Sequence, residues 1–189
     1  MSKQPFLSGK KGILGVILLI VFLAALPMIL EAEESYLIYF LYISFIYIVV
    51  AQGWNLVAGY AGQVSLGQHA FFGIGAYVTA MSWDMGLTGY LDPAAMFSSG
   101  AIAALLAVII GLPLLGKLRD DYFALGTLGF AEILRVVFIQ GKEITGGPIG
   151  IMLPSGRYAG MTPYYYISLG IAVLTLVCIW FLIRSRFGL

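Results

Sequence analysis

The residues best placed to do chemistry sit in one uncharged stretch, Asn55-Leu56-Val57-Ala58-Gly59-Tyr60-Ala61-Gly62-Gln63-Val64-Ser65-Leu66-Gly67-Gln68-His69, which lies between two apolar runs. Having no charge, it can enter a bilayer. Its glycines and hydrogen-bonding side chains nevertheless interrupt any regular helix. Broken backbone at membrane depth is tolerated only where protein or a water-filled path satisfies its amides, and transporter sites often use such interrupted helices. The stretch therefore reads as a kinked helix pair lining a translocation path, with Asn55, Gly59, Gly62, Gln63, Ser65 and Gly67 as path residues. The competing reading is a short cytoplasmic turn with helix caps. Ser65 and His69 are four apart and could meet on a helix, as an intramembrane serine hydrolase needs. No acid lies nearby to orient His69, and Gln63 occupies the first glycine position of a Gly-x-Ser-x-Gly frame.

A second pair, Glu132 and Arg135, falls inside an apolar run. Three residues apart, they share a helix face and can pair. A lone charge at bilayer depth costs roughly 2.5–3.5 kcal/mol on insertion scales, and pairing toward a bundle interior lowers that cost. The pair reads as a gate or interhelical latch, or as a structural ion pair. Other signals fail. Gly111-Leu112-Pro113-Leu114-Leu115-Gly116-Lys117-Leu118 resembles a nucleotide-binding loop, but Leu118 stands where a Ser or Thr must hold Mg²⁺. Gly73-Ile74-Gly75 lacks the third glycine of a dinucleotide site. One His and one Cys make no ordinary metal site. Asp120 and Asp121 suit a helix start.

The elements that must hold these residues follow from composition. Apolar residues make up 61% and charged residues 10% of 189 residues, against roughly 45–50% and 25% in soluble domains; mean hydropathy is +0.98. A soluble fold needs more polar surface than this. The class is an all-α polytopic transmembrane bundle. A net charge of +1 offers no basic field for nucleic acid, and Cys178 has no disulfide partner.

A span needs ~20 apolar residues. Six candidates are Ile13–Leu30, Tyr36–Ala58, Leu66–Trp83, Ala94–Leu115, Tyr122–Gln140 and Tyr164–Ile183. The third is weakest and must extend back into the glycine-rich stretch, tilt, or be a half-span. The first is long for a signal-peptide core, and Glu31-Ala32-Glu33-Glu34 is a poor cleavage site. Lys3, Lys10 and Lys11 place a tail of residues 1–12 in the cytoplasm, and six crossings put Lys117, Arg119, Arg184 and Arg186 there too, with only Lys142 and Arg157 outside. Two longer outer segments result, Asp84–Pro93 and Gly141–Pro163, the latter rich in turn formers including Gly146 and Gly147. Small residues (Gly73, Gly75, Ala76 and Ala80, then Ala103, Ala107 and Gly111) form stripes where helices pack closely.

Two blocks carry a family resemblance. Asn55-Leu56-x-x-Gly59-Tyr60-Ala61-Gly62-Gln63-Val64-Ser65-Leu66-Gly67, followed by Ala70-Phe71-Phe72-Gly73-x-Gly75-Ala76-Tyr77, closely resembles the signature of branched-chain amino acid ABC-transporter permeases. Asp121-Tyr122-Phe123-Ala124-Leu125-x-Thr127-Leu128-Gly129-Phe130-Ala131-Glu132-Ile133-x-Arg135, then Thr145-Gly146-Gly147-Pro148-x-Gly150, is similar to the M-type subunit specifically. The first block is shared with the H-type subunit and with urea and amide relatives. The resemblance implies a multi-pass subunit of a prokaryotic inner membrane, a single transmembrane domain over 1–189 and an H-type permease partner. It further implies two cytosolic ATPase subunits holding ATP and Mg²⁺, and an extracytoplasmic binding protein delivering leucine, isoleucine or valine. No cofactor is expected on this chain, and no catalytic role. In that family the pattern continues after Ser185-Arg186-Phe187-Gly188 into a coupling helix and further spans. Ending at Leu189, the sequence matches the N-terminal portion of such a permease. A non-transporting scaffold subunit is the alternative that this departure leaves open, and a permease for urea or an amide the one that the shared block leaves open.

Overall fold

The computed structural model describes residues 10–31, 33–119, 121–153 and 159–185. Lys3, Asp120, Arg157 and Arg186, which enter the charge pattern above, lie outside the described residues, as do Phe187, Gly188 and Leu189. Among the described residues seven α-helices follow in order: α1 (Lys10–Ile29), α2 (Tyr36–Asn55), α3 (Gln68–Asp84), α4 (Pro93–Lys117), α5 (Asp121–Gln140), α6 (Lys142–Thr145) and α7 (Met161–Arg184). A π-helical turn, Leu56–Tyr60, extends α2, and a 3-10 turn, Gly147–Ile149, follows α6. No strand occurs among the described residues.

Every apolar segment read from the sequence is helical over most of its length. Among the described residues, four helices are long and apolar enough to cross a membrane: Tyr36–Tyr60, Pro93–Lys117, Asp121–Gln140 and Met161–Ile183. Only 11–17% of their apolar windows is buried within the chain, so most of that surface faces lipid or other protein. The described apolar part of α1, Leu14–Ile29, is shorter. At 17 residues, α3 reaches ~25 Å, less than the ~30 Å hydrocarbon layer. It does not extend back into the glycine-rich stretch; it starts at Gln68, and 61–67 is irregular. The outer segment expected over Gly141–Pro163 is also partly helical. It opens with α6, and Pro163 already lies in the first turn of α7, where the missing N–H costs nothing.

Local chemistry explains the boundaries. Asp92 accepts a 2.9 Å hydrogen bond from the Ala94 N–H and is followed by Pro93 at the first helical position, so α4 starts there. Gly146, at φ +71°, stops α6 in the left-handed conformation.

The residues fall into two compact units. The first comprises Met1–Ile46 and Gly160–Leu174. Pro27 lies inside α1. A proline cannot donate to the carbonyl four residues earlier, here that of Leu23. The Tyr165 hydroxyl donates to this carbonyl at 2.8 Å, and Tyr166 donates to Ala24 O at 3.0 Å. Tyr165 is fully buried and meets Phe45 edge-on at 5.4 Å. Glu33 Oε1 accepts from the Met161 N–H, placing a carboxylate on the N-terminus of α7. The second unit comprises Tyr47–Ala159 and Thr175–Leu189. There α3 packs on α4 and α5. Phe71 meets Phe130 at 5.6 Å, and Tyr77 stacks on Phe138 at 4.4 Å. Ala103, Ala107 and Gly111 are half-buried, but a Cβ on Gly111, Gly73 or Gly75 would meet nothing within 4 Å, so no described helix of this chain approaches closely at these glycines.

Candidate functional site

The glycine-rich stretch is held by α2 at one end and by α5 in its middle. After Asn55, α2 widens into the π turn, in which the Ala61 N–H donates to Leu56 O at 3.2 Å. Such turns recur at functional sites. Gly62 then adopts φ +69°, and the Gln63 N–H reaches back to Val57 O at 3.1 Å. This closure spans seven residues, one more than the Schellman stop of an α-helix, as befits the end of a π turn, and a glycine makes its left-handed residue without Cβ strain. Gly59 leaves room for Asn55: a Cβ there would lie 2.6 Å from Asn55 Oδ1.

Thr127 is the bracket on α5. Its hydroxyl accepts from the Leu66 N–H at 3.0 Å and donates to Ala124 O at 2.9 Å. Gly67 is buried against the Thr127 backbone, and a Cβ there would clash with its carbonyl. From the other side, the Trp54 indole N–H donates to Ser65 O at 2.9 Å. Of the amides in this irregular backbone, those of Ala61, Gln63 and Leu66 thus find partners within the protein, as membrane depth favours.

A groove of about 400 Å³ opens along this structure. One wall is a face of α2, with Tyr47, Val50, Ala51 and Trp54 at i, i+3, i+4 and i+7. The other wall is Ser65, Leu66, Gln68 and His69. The volume suits a small solute. The surface is mostly apolar, with Gln68 and His69 among the lining residues, an arrangement that offers an aliphatic group a greasy face and a polar end hydrogen-bonding partners.

Of the six path residues read from the sequence, Ser65 lines the groove. Asn55, Gly59, Gly62 and Gly67 shape the backbone that forms it, and Gln63 is half-buried beside it in sequence. Gly146 and Gly147, expected in an outer loop, form a tight turn directly after α6. Both have positive φ, and a Cβ on Gly146 would strike the Gly150 carbonyl. The Thr145 hydroxyl faces the Phe138 and Gly141 carbonyls and accepts from the Gly147 N–H at 3.3 Å. Glu132 and Arg135 form their expected pair: Nη2 lies 2.7 Å, and Nε donates at 2.9 Å, to Glu132 Oε1. The described helices do not enclose the pair: the side chains are 57% and 66% exposed within this chain. The buried face of α5 carries Phe123, Thr127 and Ala131 instead.

A family model described as the permease component of branched-chain amino acid transport systems matches residues 36–189. The chain belongs to this family. The permease chain is 40% identical, over 112 residues, to the high-affinity branched-chain amino acid transport system permease protein LivM of Escherichia coli (strain K12); the match covers 58% of this chain and 25% of that protein. Its likeness to the LivM of Salmonella typhimurium (strain LT2) is 40% over 109 residues, 56% of this chain and 24% of that one. The permease chain thus matches about a quarter of the length of these relatives. No solved structure matches it.

Sequence reasoning missed Tyr47, Val50, Ala51, Trp54 and Thr127 as parts of the site. Nearly every residue of α2 is apolar or aromatic, so periodicity singles out no face. Thr127 is 61 positions from Leu66, and only folding brings them together.

Proposed function

We propose that the permease chain is a membrane-spanning subunit of an ATP-driven importer of branched-chain amino acids, and that the groove beside Ser65–His69 is part of the translocation path. Its partners in this reading are an H-type permease subunit, two ATPase subunits that hold ATP and Mg²⁺, and an extracytoplasmic binding protein. The chain sits in the inner membrane of a prokaryote with its N-terminus in the cytoplasm. The supporting observation is the groove itself: an irregular, uncharged backbone, bracketed by Thr127 and Trp54, that builds one wall of a cavity large enough for an aliphatic amino acid. Substrate would pass with its side chain against Trp54, Val50 and Leu66, while its charged end meets Gln68, His69 and water.

The test is uptake of labelled leucine by cells supplied with the other four components. Trp54→Ala removes the largest apolar surface of the groove and frees the Ser65 carbonyl. It lowers uptake by about tenfold or more with normal membrane insertion; unchanged uptake removes the groove from the path. Gln63→Ala and Ser65→Ala test the neighbouring path residues in the same assay. Carriage of urea or a short amide in preference to leucine would reassign the solute without moving the site.

A further inference from the structure

The two walls of the groove are joined through the π turn, and they are held differently. The wall at Ser65–His69 is tied to α5: the Leu66 N–H donates to Thr127 Oγ1 at 3.0 Å, and Gly67 lies on the Thr127 backbone. The wall on α2 is joined to it by the Trp54 indole, which donates to Ser65 O at 2.9 Å.

A π turn closes over one more residue than an α turn, and the bonds of this one can be exchanged. In the observed register Leu56 O accepts from the Ala61 N–H at 3.2 Å, and Val57 O accepts from the Gln63 N–H at 3.1 Å. In an α-helical register the same two carbonyls accept from Tyr60 and Ala61, four residues on. Both carbonyls are served either way, as membrane depth demands, and the Gln63 N–H is released. Two glycines ease the exchange. Gly62 stops the π register at φ +69° and, as glycine, leaves that conformation at little cost. Gly59 cedes its space to the Asn55 carboxamide, a Cβ there lying 2.6 Å from Oδ1. A hydrogen-bonding group thus sits at the turn, where backbone groups change partners. Two discrete arrangements that keep their acceptors satisfied are what a switching element needs.

We propose that Leu56–Tyr60 is a register switch for the groove, alternating between the π turn and an α turn. Taking up the α register passes the extra residue back along α2. Ala51 and Trp54 then turn by about one residue position, ~100° about the helix axis, while Leu66 and Gly67 stay on α5. The Trp54 indole leaves the Ser65 carbonyl, so one register holds the indole across the groove and the other withdraws it. That this gates a solute rests on the importer reading above.

The test is the reactivity of a single thiol, Ala51→Cys in a Cys178→Ser background, toward a membrane-impermeant maleimide. It is measured in vesicles of either orientation holding the assembled transporter, with and without a non-hydrolysable ATP analogue. The rate should differ at least about fivefold between the two conditions. Deleting Val57 removes the extra residue, so the turn closes as an α-helix with Trp54 still opposite Ser65, and the rate should then vary less than about twofold. A rate indifferent to nucleotide in the chain that keeps Val57, or a full response in the deletion variant, overturns the proposal. Where the deletion variant does not insert, Gly62 decides. Gly62→Val disfavours the left-handed stop and should abolish the response; Gly62→Asn tolerates that conformation and should keep it. Equal responses from the two overturn the proposal. Transport separates the switch from the importer reading. Leucine carried equally with and without Val57 sinks the switch and leaves the path in place. A nucleotide response that needs Val57, with no leucine carried, keeps the switch and fails the importer reading.

Discussion

At the scale of single residues, two glycines of the same neighbourhood have opposite work. Gly67 lies against the Thr127 backbone, which cannot move aside, while Gly73 in α3 has nothing within 4 Å of an added Cβ. Gly67→Ala should destabilise the detergent-solubilised chain by about 1–3 kcal/mol through overpacking. Gly73→Ala should be neutral or stabilising by up to about 1 kcal/mol, because alanine is the better helix former. Thermal unfolding followed by helical circular dichroism separates the two; equal shifts would mean that the bracket between Gly67 and Thr127 is not formed. Thr127→Val probes the same bracket from α5. It keeps the shape but strands the Leu66 N–H, a loss of about 1–3 kcal/mol, and an unchanged melting temperature would count against the hydrogen bond.

At the scale of elements, much was legible because lipid imposes a simple rule: long apolar runs become helices. The span expected from Ala94 starts within a residue of α4, and Asp121 opens α5 as a helix-start acid should. Other features were not legible, for physical reasons. The π turn after Asn55 depends on where Gly62 and Thr127 hold the following backbone, and nothing in Leu56–Tyr60 announces it. The i, i+3 spacing of Glu132 and Arg135 predicted their pairing but carried no information about direction, since apolar residues surround the whole of α5. Tyr165 is a third case. Nothing local says that its hydroxyl serves the Leu23 carbonyl freed by Pro27, 142 positions from its own. This contact supports a double-mutant cycle. Tyr165→Phe alone strands that carbonyl and costs about 1–3 kcal/mol. With Pro27→Ala already present, the introduced alanine supplies the missing N–H, and the same change should cost much less. Additive losses would show that the tyrosine contributes through packing alone.

At the scale of the whole molecule, the proposed path wall is one side of an open groove. The spans bury little of their surface within the chain, and the Glu132–Arg135 pair on α5 is exposed. The groove is open along one side, formed by one face of α2 and a short irregular segment. Family membership fits the same picture.

The most direct measurement is aqueous access to the groove. In a Cys178→Ser background, His69→Cys places a single thiol on the wall formed by the glycine-rich stretch, to be reacted with a membrane-impermeant maleimide in right-side-out and inside-out vesicles holding the assembled transporter. The account predicts labelling from at least one side, at a rate that leucine or ATP alters, because water and solute must reach this wall during the cycle. A thiol that reacts only after detergent disrupts the membrane, and is indifferent to both ligands, would show that the wall faces lipid and that the path runs elsewhere.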